Sequence, residues 1–155
     1  MRSLKKLLPA TALVLSLAGV GFIQSWEGTE EVAYLDSVGV PTICTGSTRN
    51  VFIGQRASLA DCEQRLLEDT SYAGKAVQRC VQARLTQGQY DALVSLSFNI
   101  GGGATCTSTL VRKLNQGDCR GAAEQFLRWD HAGGKRLRGL TNRRAAESAQ
   151  FIRDC

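Results

Sequence analysis

The sequence predicts a mostly helical α+β domain with one small antiparallel β element toward its N-terminal side. Three observations predict it. From Ser58 onward, apolar residues recur at helical spacing. Between Gly28 and Gly54, β-favouring residues alternate with turn formers. The 155 residues are 43% hydrophobic but only 6% aromatic, which suits one domain packed mainly by aliphatic side chains.

The elements follow in order. Val38, Val40, Thr42 and Ile43 favour strand, and Gly39, Pro41, Gly46 and Gly54 punctuate it. Ser58-Leu59-Ala60-Asp61 reads as a capping box, after which Leu59, Cys62, Leu66, Thr70 and Ala73 share a helix face. A helix over 87–100 buries Tyr90, Leu93, Val94, Ser97 and Phe98, and Gly101-Gly102-Gly103 ends it. Thr107 caps a short helix through Leu114. Cys119 to Trp129 forms another, with Ala122, Ala123, Phe126 and Leu127 inward. Gly133-Gly134 is a loop containing no helical signal. Asn142 caps the last helix, which carries Ala145, Ala149 and Ile152.

Ahead of this body lies a different segment. Leu7 to Ser25 holds 19 residues without a charge, about 28 Å if helical and close to a bilayer's apolar thickness. Arg2, Lys5 and Lys6 precede it and Glu27, Glu30 and Glu31 follow, which places the N-terminus in the cytoplasm and the body outside. Nine Leu, Val, Ile or Phe residues give roughly −4 kcal/mol of insertion energy, much of it offset by Pro9, Thr11, Ser16, Gln24, Ser25 and the Ala and Gly residues. The segment reads as a signal peptide cleaved at Ser16-Leu17-Ala18, as a permanent anchor, or as a reversible one. The expected division is 1–25 for this segment and 26–155 for the domain that follows it.

Six cysteines, all in the body of an exported chain, point to disulfides. Pairing neighbours in sequence and tying down the C-terminus gives Cys44–Cys62, Cys80–Cys106 and Cys119–Cys155 as the expectation. No Cys-x-x-Cys pair exists and His131 is the only histidine, so neither a zinc site nor a Cys/His nucleophile is expected, and no cofactor. His131 reads as a solvated loop residue. The formal charge of +5 falls to a surplus of two from Leu7 onward, too diffuse for nucleic acid. Lys135, Arg136, Arg138, Arg143 and Arg144 form one cluster, a helix face with its loop or a contact for an acidic polymer. Gly101-Gly102-Gly103 lacks the Lys-Ser/Thr of a phosphate loop.

The stretch with chemistry is 26–43. Glycoside hydrolysis needs a protonated acid at the leaving oxygen and a carboxylate near the oxocarbenium-like centre or its attacking water. Glu27 follows Trp26 and the apolar segment, surroundings that favour a protonated carboxyl. Asp36 lies in a polar turn beside Ser37 and Gly39, and Thr42 can fix a water with its hydroxyl. The same residue types also suit a helix end, a turn and a strand.

Glu27-Gly28, Tyr34-Leu35-Asp36 and Gly39-Val40-Pro41-Thr42-Ile43 resemble the active-site signature of the phage-type lysozymes among the glycoside hydrolases. The resemblance continues through 89–95, Phe98-Asn99-Ile100-Gly101, Ser108-Thr109-Leu110, Arg128-Trp129, Gly133-Gly134-Lys135, Gly139-Leu140 and 143–147, covering essentially 26–153. It implies a lysozyme-like α+β fold with the small β-hairpin beside the active-site cleft. It also implies a monomeric muramidase, an endolysin cutting the β-1,4 bond between N-acetylmuramic acid and N-acetylglucosamine in peptidoglycan. Glu27 would be the general acid, Asp36 and Thr42 would place the water, Asn99 would line the sugar cleft, and Arg143 would pair with Glu27. Trp129 reads as core. Where many members have Gly-x-Gly-His, this chain has Cys44-Thr45-Gly46-Ser47, so any role of that histidine is lost.

Within the family the N-terminus resembles that of the signal-arrest-release endolysins. These are exported tethered to the host inner membrane by an uncleaved weak span, inactive, and are then freed into the periplasm. The span 7–25 has no Cys, so a cysteine from the tether cannot lock the site here. The implied alternative is positional: with 7–25 embedded, Glu27 cannot reach Asp36. A lytic transglycosylase, which needs one Glu, and an inert wall-binding module are the competing readings.

Overall fold

The computed structural model describes residues 5–155, so Arg2 of the N-terminal cationic group lies outside the described residues. Among the described residues no helix is long and apolar enough to cross a membrane. The uncharged run is instead divided. β1 (Leu8–Pro9) leads to a 3-10 turn (Ala10–Ala12), an extended stretch, and then α1 (Leu17–Glu27). Pro9 cannot sit inside a helix, and Ser16 caps α1 by accepting from the Gly19 N–H. The division expected between residues 25 and 26 therefore falls inside one helix.

β2 (Glu30–Leu35) and β3 (Pro41–Cys44) make the antiparallel hairpin, with Tyr34 opposite Thr42 and an irregularity between Glu30 and Tyr34. Val38, expected in a strand, lies in the turn, and β2 instead runs through the charged Glu30-Glu31 pair. A solvated hairpin does not need apolar residues on both faces, so composition misplaced its first strand. Next comes α2 (Leu59–Cys80), opened by the Ser58/Asp61 capping box. β4 (Arg84–Leu85) pairs with β1.

α3 (Gln87–Ile100) is the centre of the molecule. Every residue from Gln89 to Ser97 is buried, so its polar side chains need internal partners. Gly101 ends it at φ 91°, and α4 (Gly102–Cys106) starts at once. α5 (Thr109–Asn115) is capped by Ser108, not Thr107. α6 (Cys119–Gln125) passes into a 3-10 turn (Phe126–Arg128), and this change of pitch turns Leu127 outward to 49% exposure. β5 (His131–Ala132) and β6 (Lys135–Arg136) form a small hairpin around Gly133-Gly134. Exposed His131 there meets the Asp130 carboxylate at 2.7 Å.

α7 (Arg138–Ile152) starts four residues before Asn142, which lies exposed within it. Its inward residues are Arg143, Arg144, Glu147 and Phe151, while Ala145 and Ala149 face solvent. Helical periodicity read for apolar residues selects the wrong face of a helix whose buried side is ionic. Leu59 is likewise outward, since the first turn of α2 projects beyond the core.

One large apolar cluster joins Ala10, Leu13 and Ile23 of the N-terminal segment to Val77, Leu93, Leu110, Phe126 and Phe151, and Trp129 packs at its edge. Polar clamps hold the same segment. Gln78 donates to the Leu13 carbonyl at 2.9 Å, Gln87 to Val14 at 2.8 Å and Arg84 to Leu7 at 3.1 Å, while Lys5 pairs with Asp154. Burial raises the Asp154 carboxyl, but the hydrogen bonds from Lys5 and Thr86 and the Lys5 charge outweigh it and hold the group below the usual carboxylate range. Disulfides join Cys44–Cys62, Cys80–Cys106 and Cys119–Cys155. They tie β3 to α2, α2 to α4, and the C-terminus to α6.

Candidate active site

Glu27 is the last residue of α1, where Gly28 at φ 66° ends the helix and turns the chain toward β2. Its carboxylate pairs with Nη1 of Arg143. The Arg143 side chain is 4% exposed and that of Glu27 18%, so a water-accessible carboxyl rests on a buried cation. Arg143 also donates to the Ser95 carbonyl and hydroxyl, both at 3.3 Å, and through Nε to Glu147 at 3.2 Å. Three of its directions are thereby fixed, and the fourth points at Glu27.

Behind Arg143 lies a closed ionic cluster. Glu147 Oε1 accepts from Ser95 at 2.6 Å, from Arg144 at 2.8 Å and from Arg143. Glu147 Oε2 faces Arg144 Nε at 2.7 Å, and although neither of these two atoms makes a directional hydrogen bond, their charges pair at contact. Burial pushes the Glu147 carboxyl up, against the pull of Arg144, Ser95 and Arg143, and burial pushes Arg144 down. Arg144 donates onward to Asn99 Oδ1 at 2.8 Å, so Asn99, exposed near the end of α3, meets Arg144 and not the Glu27 pair.

Asp36 follows β2 and organises the turn into β3. One of its carboxylate oxygens, Oδ1, accepts from the Val38 N–H at 2.9 Å and the Val40 N–H at 2.8 Å, and its own N–H donates to the Val40 carbonyl at 3.0 Å. Thr42, 4% exposed, donates its hydroxyl to the Val40 carbonyl at 2.9 Å. Both side chains are thus held by the same short turn, which fixes them against each other. Tyr34 lies opposite Thr42 in the hairpin, and burial together with the charges of Glu27, Glu30 and Asp36 raises its phenol. The neighbouring loop closes on itself through paired Ile43–Ser47 hydrogen bonds of 2.9 Å, with Cys44 at φ 60° and Gly46 at φ 77°. A Cβ on Gly46 would lie 2.9 Å from Glu27 Oε2.

Gly46 is a residue whose role sequence reading missed, because its demand is a close approach and a positive φ and neither has a compositional trace. The part Glu147 plays in holding Arg143 and Arg144 was missed as well. Glu147 stands four residues after Arg143 and three after Arg144, ion-pair spacing that was legible. Replacing Gly46 by Ala is expected to cost about 1–3 kcal/mol of stability through its backbone angle. It should also lower kcat on the order of a hundredfold by displacing the Glu27 carboxylate. Thermal unfolding and steady-state kinetics on the purified variant check the two effects separately.

A cavity of about 220 Å³ beside this site is lined by Gly46, Arg49, Tyr72, Ser97 and Phe98. Among the described residues no group of His, Cys, Asp and Glu is arranged to hold a metal.

The family described as phage lysozyme matches residues 24–147. The SAR-endolysin of Enterobacteria phage P21 is 38% identical over 122 residues, 78% of this chain and 74% of that protein. The SAR-endolysin of Escherichia phage Mu is 38% identical over 159 aligned positions, covering 96% of this chain and 93% of that one. Among solved structures, the muramidase domain of SpmX from Asticaccaulis excentricus superposes with a TM-score of 0.81 at 35% identity, covering 90% of this chain and 97% of that domain.

Proposed function

Because the chain belongs to the phage lysozyme family and is a muramidase of the endolysin type acting on peptidoglycan, we propose that Glu27 is its general acid, with Asp36 and Thr42 placing the water. The observation that carries this is the Glu27–Arg143 pair, in which a partly accessible carboxyl is aimed by a buried arginine whose other contacts are all satisfied. Glu27 donates its proton to the glycosidic oxygen as the C–O bond breaks. Asp36 stabilises the positive charge that develops on the sugar and accepts a proton from the attacking water, which the Thr42 hydroxyl oxygen holds. The chain is exported with 7–25 in the host inner membrane, its body on the periplasmic side, and becomes active when the segment leaves the bilayer. The packing of Ala10, Leu13 and Ile23 into the core supports this, since α1 carries Glu27 and cannot occupy both places.

Product analysis tests the chemistry. Peptidoglycan digested by the enzyme and examined by mass spectrometry should give hydrated reducing ends at N-acetylmuramic acid. Anhydro ends would instead mean a transglycosylase in which Asp36 and Thr42 are idle.

A further inference from the structure

Asp91 lies on α3, is only 5% exposed, and has no role in the site chemistry. Its Oδ1 accepts from the Ser16 N–H at 3.1 Å and from Gln87 Nε2 at 2.9 Å, and its Oδ2 accepts from the Ser16 hydroxyl. That hydroxyl in turn accepts from the Gly19 N–H at 3.0 Å. The carboxylate therefore faces the first turn of α1, where free N–H groups and the helix dipole favour a negative charge. No lysine or arginine contacts it among the described residues, so a buried anion is balanced here by the end of a helix. The fit is close: a Cβ on Gly19 would stand 2.6 Å from Leu15 Cδ1, the free end of a flexible side chain, and 2.8 Å from Asp91 Cγ, whereas one on Gly21, a half-turn on, would meet nothing within 4 Å.

We infer that Asp91 is a positioning residue for catalysis, the receptor that seats the N-terminus of α1 through Ser16 and Gly19 and thereby sets Glu27 at the helix's other end. This role of Asp91 rests on Glu27 being the acid. α1 is about 16 Å long and rigid on that scale, so an error in seating one end is carried to the other. The near-attack geometry of an acid is sensitive to displacements of about 1 Å. Gly19 then has two uses. It weakens the span as a membrane segment, and it admits the first turn of α1 to the Asp91 carboxylate. Gly21 has only the first.

The matched pair Gly19→Ala and Gly21→Ala tests this in the full-length chain, released and soluble, on soluble peptidoglycan oligosaccharides. The two changes alter apolarity and helix propensity alike. Gly19→Ala should lower kcat on the order of ten- to a hundredfold with KM unchanged, and Gly21→Ala should leave both unchanged. Asp91→Ala should lower kcat similarly, and adding Gly19→Ala to it should cost little more, because the two act at one contact. Ser16→Ala, which introduces no atom that could clash, should show the same kcat-only loss at smaller size, and it decides the matter should Gly19→Ala not fold. Equal kcat for the two glycine variants, additive losses for Gly19 and Asp91, or a Ser16→Ala enzyme with normal kcat would each overturn the inference. Glu27→Gln run in parallel separates the two readings: if that variant stays active, the acid assignment fails, whatever the glycines show.

Discussion

Replacing Glu27 by Gln should reduce muramidase turnover by several orders of magnitude while leaving the fold intact. The amide keeps the side chain's shape but has no acidic proton to give the leaving oxygen, and without protonation the sugar must depart as an alkoxide. General acid catalysis alone accounts for roughly 10²–10⁴ in rate. The amide also disturbs the pair with Arg143, whose guanidinium keeps its bonds to Ser95 and Glu147. Stability should therefore change little, since the Glu27 carboxyl sits at the edge of the cluster and water reaches it. Rates on peptidoglycan and a thermal melt together check the prediction. A variant that loses activity only because it unfolds would show in the melt.

The second large effect concerns stability. Glu147→Leu should destabilise the protein by about 3–5 kcal/mol, the usual cost of removing one partner from a buried ionic group. The Arg144 and Glu147 side chains are both 0% exposed, so the substitution leaves Arg144 cationic, enclosed and without its counter-ion. Arg143 loses its Nε acceptor and Ser95 loses the acceptor for its hydroxyl. The midpoint of thermal unfolding should fall on the order of 10 °C for a domain of this size. Activity should fall as well, even well below the melting temperature, because Arg143 is the group that aims Glu27. Thermal unfolding monitored by circular dichroism measures the first effect, and kcat at a temperature where the variant is folded measures the second.

The sequence made much of this molecule legible. Capping signals at Ser58 and the apolar run of α3 are local, and local signals survive into the structure. The signature around Glu27, Asp36 and Thr42 was visible as spacing, and Asp36 and Thr42 do share one turn. What could not be read is mostly what depends on contacts between distant segments. The inward face of α7 is ionic, so apolar periodicity pointed to Ala145 and Ala149, which are exposed. Asp91 looks like an ordinary polar residue until α1 is laid across it. The uncharged N-terminal run reads as one helix by hydropathy, and only Pro9 and Ser16 hint at the break that the folded chain makes. Its apolar residues serve a bilayer and a protein core equally well, since both favour the same side chains. Composition therefore could not say which of the two they occupy.

The central claim is that seating residues 7–25 on the body is what assembles the acid. Its most direct test is the muramidase turnover of the full-length chain held in lipid vesicles with the body outside, measured before and after release from the same vesicles, on soluble peptidoglycan fragments. The account predicts no turnover while the segment is embedded and Glu27-dependent turnover once it is free. Equal turnover in both states would contradict it.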